Sequence, residues 1–339
     1  MKYLKKVIGI DISKDSFVIR FGTLDNELQQ KIGGAFTFKN DLKGFKKFLD
    51  ALIKIPEYKD RENIPCWFIM EATGVYYENL AYFLNHKNYQ VSVLLPNKTK
   101  HFNKTLDNKS KTDKLDASAL AQFGLEKQLK AWTPPSAIMK DIKELTREYH
   151  NLVVMSTQTK NKIHAKNYSY QPSKENVKRL TQQLNLLKKQ ITQVKKQLED
   201  LVKSDEELYN RINKIITVKG LGFLTVVTIV SETNGFALVK NIKQLTSYAG
   251  YDVVQNQSGI ITGKTKISKK GNKFIRNALY FPALAAVRCD DKFKSFYKRL
   301  CTKKVYKKIA IVAVCRKLLS LIYTLWKKNE EYIHNYKTA

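Results

Sequence analysis

The sequence predicts an α/β domain on a mixed sheet, then a helical coiled coil, then a mostly α C-terminal domain. Three observations predict it. Residues 1–130 alternate β-branched runs with helix-periodic ones, residues from about 138 to 201 hold apolar residues at heptad spacing, and residues 208–335 are apolar mainly at helical spacing. The domain boundaries expected are therefore 1–130, 131–207 and 208–339. A length of 339 residues fits two or three domains at ~150 residues each.

Taken in order, VIGIDI (7–12) is a short β-branched run, and SFVIRFG (16–22) follows closely enough to be its hairpin partner. AFTF (35–38) reads as a third strand. DLKGFKKFLDALIKI then places Leu42, Phe45, Phe48, Leu49, Leu52 and Ile53 at helical spacing. CWFIME (66–71) and YQVSVLL (89–95) read as buried strands with the helix VYYENLAYFLNHK between them. Strands that pair first as a hairpin and then cross over through helices imply a mixed sheet with helices on its faces.

In the middle of the chain Ile142, Leu145, Tyr149 and Leu152 keep heptad spacing, and NYSYQPS (167–173) breaks the helix at Pro172. The second arm is cleaner: Val177, Leu180, Leu184, Leu187, Ile191, Val194, Leu198 and Leu201 alternate steps of three and four. That seam predicts a coiled coil, formed within one chain or between two, with a long amphipathic helix packed on its own domain as the plainer reading. Further on, Gly220 and Gly222 in IITVKGLGFLTVVTIV (215–230) predict a helix-hairpin-helix turn. Such a turn either offers backbone N–H groups to a phosphate or simply joins two helices.

Composition narrows the partner. Against 30 Asp+Glu stand 61 Lys+Arg, a formal net charge of +31, while 43% hydrophobic residues suffice for packed cores and exclude wholesale disorder. Such an excess calls for a polyanion, nucleic acid before an acidic membrane surface. No run approaches the ~18 uninterrupted apolar residues of a spanning helix, and the N-terminal residues lack a secretory pattern. Cys66, Cys289, Cys301 and Cys315 stand far apart without a CxxC. The expectation is a reduced, cytoplasmic chain without a zinc site.

Acids at strand ends point to chemistry. Asp11 ends the first strand and Glu71 the strand CWFIME, where a ligand can reach a sheet's edge. Asp113 and Asp116 in KTDKLDA share a face at the start of a helix. Read singly, these are turn acids and helix caps, with Asp113 as the N-cap and Asp116 favouring the dipole. Read together, four converging carboxylates need a hard cation, and Mg²⁺ is the ion that serves phosphodiester chemistry. Lys98, Lys100, Lys104, Lys109 and Lys111, interleaved with His101 and Phe102, precede the acidic helix as a rail for a phosphate backbone.

A second focus is Ser258, in the polar loop Gln257-Ser258-Gly259, followed by Lys264, Lys266, Lys269, Lys270, Lys273 and Arg276. As a bare Ser-Gly it is an ordinary turn. It has no nearby histidine, so a protease-like triad is not indicated. The flanking cations instead suit an alkoxide attacking a phosphate.

Six blocks in order resemble the transposases of the IS110 group of bacterial insertion sequences, described as bridge-RNA-guided DEDD recombinases. They are VIGIDISKDSF, FIMEATGVYYENLAYFL, NKSKTDKLDASALAQFG, ITVKGLGFLTVVTIVSE, LTSYAGYDVVQNQSG and KISKKGNKFIRNALYFPALAAVR. The resemblance implies an RNase H-like, RuvC-like first domain with Asp11, Glu71, Asp113 and Asp116 binding Mg²⁺ or Mn²⁺, and Ser258 as a nucleophile forming a phosphoserine link to DNA. It implies a composite site built from the acids of one protomer and the serine of another in a dimer or tetramer. A guide RNA from the element would pair with target and donor DNA, and the protein would act at the bacterial nucleoid without a membrane. Lys219 stands where the family often has Pro before the Gly-x-Gly turn. The alternatives are a junction-resolvase-like hydrolytic nuclease, in which the acids activate water, and a non-catalytic nucleic-acid-binding scaffold.

Overall fold

The computed structural model of the chain describes residues 3–59, 64–106, 110, 112–255, 257–258, 261–263, 265–302 and 306–333. By backbone contacts the chain divides into two compact units, Met1–Pro134 and Pro135–Ala339.

In the first unit β1 (Tyr3–Ile12), β2 (Ser16–Asp25) and β3 (Gln30–Lys39) form an antiparallel meander. The helix α1 (Leu42–Ile53) and the single turn α2 (Pro56–Lys59) lead to β4 (Cys66–Glu71), and α3 (Glu78–His86) leads to β5 (Gln90–Leu94). Two helices follow, α4 (Pro96–Asn103) and α5 (Asp113–Glu126). The sheet order is β3-β2-β1-β4-β5, with β4 parallel to β1 and β5 parallel to β4. This is the mixed five-stranded sheet of an RNase H-like, RuvC-like domain. The third strand is longer than AFTF because it begins at Gln30 and passes through Gly33 and Gly34, residues with no strand signature of their own.

Period-two alternation sorts the sheet into two faces. Ile8 and Ile10 of β1 join Phe68 and Met70 of β4 in a core with Phe45, Phe48 and Leu52 of α1 and Leu80 and Leu84 of α3. Val7 of β1 and Ile69 of β4 face the other way, onto Leu120, Ala121 and Leu125 of α5. Asp11 and Glu71 share the parity of Val7 and Ile69, so they belong to the face that α5 covers.

The helix α5 lies so close to β1 that only glycine fits between them. A β-carbon on Gly9 would collide with the Ala117 carbonyl oxygen and the Ala121 backbone N, and would reach 2.9 Å from the Ala121 Cα. Further along the helix, Gly124 would meet Ile69 and Val7, and Leu125 lies over Gly22. Helix positions rise as β1 positions fall, so α5 runs antiparallel to β1. Lys5 holds its far end, donating to the carbonyl oxygens of Lys127 (2.6 Å) and Leu125 (3.5 Å), where a cation complements the helix dipole. Burial lowers the pKa of Lys5.

The second unit is helical. Its helices are α6 (Ala137–Asn167), α7 (Lys174–Lys203), α8 (Glu206–Ile216), α9 (Phe223–Glu232) and α10 (Ile242–Ala249). Four two-residue strands follow, β6 (Val253–Val254), β7 (Gln257–Ser258), β8 (Ile261–Thr262) and β9 (Lys266–Ile267), and then α11 (Lys273–Cys289), α12 (Asp291–Cys301) and α13 (Lys307–Lys328). The helices α6 and α7 pack on one another as a hairpin within the chain. Ile142, Leu145, Leu187, Val194 and Leu198 bury their seam and continue into the core formed by α8 to α13. Among the described residues α13 is the one helix long and apolar enough to cross a membrane. Its apolar residues Ile311, Val314, Leu318, Leu319 and Ile322 are buried in that core.

The Gly220–Gly222 turn does join two helices, and its glycine has a packing cause. Gly220 has φ +95°, and a β-carbon there would meet the Ala286 backbone N at 2.7 Å and the Pro282 carbonyl oxygen at 3.0 Å on α11. The neighbouring Val218 and Leu221 are buried, while Lys219 is exposed.

Gly9→Ala is expected to lower the stability of the first unit by about 1–3 kcal/mol, because the added methyl must push α5 off the sheet. Urea denaturation checks this. Gly34→Ala, where nothing lies within 4 Å of an added β-carbon, is expected to leave the stability within about 0.5 kcal/mol of the parent.

Candidate active site

The strand acids stand next to one another. Ile10 pairs with Met70 across the parallel β1–β4 ladder, so Asp11 and Glu71 are the next residues on adjacent strands, on the same face. The antiparallel course of α5 brings its first turn over this end of β1. Ala117 sits on Gly9, and Asp113 lies four residues earlier, about 6 Å along the helix axis. Asp116 is on the same first turn.

Asp113 does not cap the helix. That part belongs to Thr112, extended at φ −144° and ψ 153°, whose side chain accepts from the Leu115 N–H at 3.3 Å. A carboxylate relieved of capping at the first helical position is exposed and available to another partner. Glu71 is oriented by two hydroxyls: Thr73 donates to Oε1 at 3.0 Å, and Thr99 of α4 donates to Oε2. Asn103 of α4 donates its amide to Asp116 Oδ1 at 3.3 Å. These neutral donors fix a carboxylate without cancelling its charge, which suits hard-cation ligands supported from behind. Among the described residues no three His, Cys, Asp or Glu side chains are gathered tightly enough to hold one ion in common. The four acids lie at one end of the sheet without closing on a common ion, and in donor chemistry they suit Mg²⁺ or Mn²⁺.

The helix α4 has two sides. Thr99 and Asn103 face the acids, while Lys98, Lys100, His101 and the C-cap residue Lys104 are exposed. Phe102 is buried edge-on to Phe123 of α5 at 5.2 Å. A shallow cavity of about 650 Å³ opens there, lined by Lys98, His101, Phe102, Phe123 and Lys127 among others. Lys109 and Lys111 lie outside the described residues, as does Lys264 of the second unit.

Ser258 lies in a ribbon, where the sequence suggests a plain loop. The outer pairs are Val253 with Ile267 and Val254 with Lys266; the inner pairs are Gln257 with Thr262 and Ser258 with Ile261. Among the described residues the serine is therefore the last paired one on the outgoing strand. Lys266, Lys269, Lys270 and Lys273 are exposed on the return strand, the following loop and the start of α11. Arg276 is half-buried and donates to the Ala249 carbonyl oxygen at 2.8 Å, which ties α11 to the end of α10.

Both ends of this ribbon segment are fastened at Glu232, a residue absent from the candidates read in the sequence. Glu232 is fully buried at the end of α9. Arg147 of α6 grips its carboxylate in a fork, Nε to Oε1 at 2.6 Å and Nη2 to Oε2 at 3.0 Å, and Asn272 donates to Oε2 at 2.7 Å. The Tyr248 hydroxyl donates to the Glu232 carbonyl oxygen at 2.9 Å. The Asn272 N–H donates to the Tyr248 carbonyl oxygen at 2.7 Å and so closes the segment at its base. The Asn272 side-chain oxygen also caps α11, accepting from the N–H groups of Phe274 (2.9 Å) and Ile275 (3.3 Å). The only trace of this network in the sequence is an acid at the end of an apolar helix, which ordinarily reads as a surface residue. Beside it, His150 of α6 lies edge-on to Phe274 at 5.4 Å, and its pKa is lowered by burial and, secondarily, by the charge of Lys273.

Two family profiles match the chain. One, described as a transposase of the DEDD IS110 kind, matches residues 8–172, and the other, described as "Transposase IS116/IS110/IS902 family", matches residues 212–298. The pilin gene-inverting protein of Moraxella bovis is 30% identical over 340 residues, covering 97% of this chain and 98% of that protein. A 42 kDa protein of insertion element IS900 from Mycobacterium paratuberculosis is 24% identical over 119 residues, 35% of this chain and 30% of its own length. Among solved structures, T. thermophilus RuvC in complex with a Holliday junction substrate aligns at 11% identity and a TM-score of 0.24, covering 38% of this chain and 84% of RuvC. The fold assignment rests on the strand order.

Two outcomes are expected from the buried network. Arg147→Ala leaves a fully buried carboxylate without its cation and is expected to cost about 3–5 kcal/mol. Glu232→Gln leaves a partly exposed Arg147 that water can reach, at a cost of about 1–3 kcal/mol; urea titration ranks the two. For His150, a folded pKa below the unfolded value means that protonation favours the unfolded chain. Its contribution is intact above the ordinary pKa near 6.5 and is lost as pH falls through the lowered value. Lys273→Gln is expected to raise the His150 pKa only part of the way to its ordinary value, because burial remains, as an NMR titration will read.

Proposed function

The chain belongs to the IS116/IS110/IS902 family of transposases, and we propose that it cuts and rejoins DNA through a covalent link to Ser258. It acts on DNA as a transposase. The observation that carries the proposal is the placement of Asp11 and Glu71 abreast at the ends of β1 and β4 beneath the first turn of α5. Asp11, Glu71, Asp113 and Asp116 are the residues that would hold a divalent ion, Mg²⁺ or Mn²⁺. That ion, when bound, supplies the positive charge that stabilises the oxygens of a phosphodiester under attack.

The chain's own residues do the rest. Lys98, Lys100 and Lys104 hold the DNA backbone beside the acids, and Lys266, Lys269, Lys270 and Lys273 hold it beside the serine. The Ser258 Oγ–H proton leaves to solvent as Oγ bonds to phosphorus. The bond from phosphorus to one deoxyribose oxygen breaks, and that oxygen departs as a hydroxyl after taking up a proton. A hydroxyl from another cut strand then attacks the phosphoserine, breaks the Oγ–P bond and restores the serine hydroxyl. The phosphodiester energy is retained throughout, so exchange needs no external energy source.

No histidine stands near Ser258 in the sequence to serve as its base, and the acids need a nucleophile that they do not themselves supply. This supports a site assembled from the acids of one protomer and the serine of another in a homodimer or tetramer. The net charge of +31 supports a chain that holds a guide RNA together with target and donor DNA, with base pairing selecting the sites. The relatives named for pilin gene inversion favour a second product of the same chemistry, a DNA segment turned around between two sites, beside excision and insertion of an element.

With a suicide DNA substrate and Mg²⁺, a denaturation-resistant protein–DNA adduct is expected. Ser258→Ala should abolish it and lower strand exchange at least about 10³-fold. Asp11→Asn should do the same, and a chelator should stop the reaction until Mg²⁺ or Mn²⁺ is restored. Equal cleavage by wild type and Ser258→Ala without an adduct would leave a hydrolytic nuclease as the reading. Undiminished DNA processing by Asp11→Asn would leave a scaffold.

A further inference from the structure

The far end of the α6–α7 hairpin has a surface that the cut-and-join chemistry does not use. From Lys160 to Leu186 no side chain is buried. Ile163, Val177, Leu180 and Leu184 are half-buried there. At the turn between them stand Tyr168, 81% exposed, and Tyr170, 90% exposed, the two most exposed large apolar side chains among the described residues. The ring of His164 lies against that of Tyr168, 4.6 Å between centroids and 35° between planes. Gln171, at φ 44°, donates to the Tyr170 hydroxyl at 3.3 Å.

The same stretch, residues 160–186, carries Lys160, Lys162, Lys166, Lys174, Lys178 and Arg179 against the single acid Glu175. All six cations are exposed. Exposed aromatic faces among cations are the chemistry that receives unpaired bases, with the rings stacking on bases and the cations on the phosphates between them. A duplex keeps its bases stacked on one another, so these rings have access only to bases outside a helix. RNA offers such bases in loops and bulges, where aromatic stacking is the usual mode of recognition. Two copies of this tip would bring like charges together, which disfavours self-association through it.

We propose that the hairpin tip is a stacking platform for unpaired bases in a looped RNA, with Tyr168 and Tyr170 under the bases and the surrounding cations on the flanking phosphates. This rests on the reading that the chain carries a guide RNA, and it names where one loop of such an RNA is held.

The test uses the full-length protein and four probes of matched length: an RNA hairpin with an unpaired adenine loop, the same RNA fully paired, a single-stranded DNA of the loop sequence, and a DNA duplex. Binding is read by fluorescence anisotropy over a series of salt concentrations. The Tyr168→Ala/Tyr170→Ala double variant is expected to bind the looped RNA about 10- to 100-fold more weakly, with an unchanged salt slope, because no phosphate contact is removed. The Tyr168→Phe/Tyr170→Phe double variant should bind like wild type, since stacking needs the ring and not the hydroxyl. Paired RNA and duplex DNA should be indifferent to both changes.

Looped RNA bound equally by wild type and the alanine variant would overturn the inference while leaving the guide-RNA reading standing. Failure of wild type to prefer looped over paired RNA would overturn both. A loss confined to single-stranded DNA would overturn the choice of RNA. A loss accompanied by a smaller assembly in sedimentation would make the tip a protein contact instead.

Discussion

The acids of the first unit share one end of the sheet because a helix rests backbone on backbone upon a strand at Gly9. A β-carbon would meet the backbone of α5 at Gly9 and the side chains of Ile69 and Val7 at Gly124. The separation of these two contacts along both elements sets the helix's direction as well as its distance. Everything downstream inherits that placement: the first turn of α5 falls over the ends of β1 and β4, Thr112 takes the cap, and Asp113 and Asp116 come to the face that already carries Asp11 and Glu71. Lys5 fastens the opposite end of the helix. Hydrophobic burial on this face holds the layers together, but backbone contact decides which residues lie opposite which.

The second unit solves a similar problem with charge. Its serine ribbon is short, and two-residue strands have little stability of their own. Rigidity comes from below, where Tyr248 and Asn272 are bonded to each other and to Glu232. A buried carboxylate is tolerated there because Arg147 and Asn272 satisfy both its oxygens, and a fork of this kind fixes direction as well as distance. The arrangement ties α6, and through it the hairpin, to the base of the ribbon.

Much of this was legible in the sequence where one chemical signal has one local cause. VIGIDI and SFVIRFG pair as expected, CWFIME and YQVSVLL form parallel strands, and the heptad residues from Leu187 to Leu198 bury a seam. The seam's partner was not legible, because a and d positions look alike whether the facing helix belongs to the same chain or to another. Asp113 was read as a possible cap because Asp and Thr are both good N-caps, and only the extended backbone of Thr112 separates them. The length of the third strand was hidden by Gly33 and Gly34, which carry no strand signature. Glu232 was invisible for a different reason: its burial is imposed by residues 85 positions before it and 40 after it, and no local pattern records such a meeting. Tyr168 and Tyr170 stood in plain view, but their exposure follows from the length of the helices that carry them away from the core.

The helix α13 has a consequence for how the protein comes into being. Its apolar face is the wall against which α8, α10, α11 and α12 are packed, yet the ribosome makes it after all of them. Until it emerges, the faces of α8, α10, α11 and α12 that pack on it stay uncovered. The core of the second unit is therefore completed last, after the sheet of the first unit has left the ribosome. A chain interrupted before α13 carries a first unit whose sheet is complete and a second unit whose core lacks one wall.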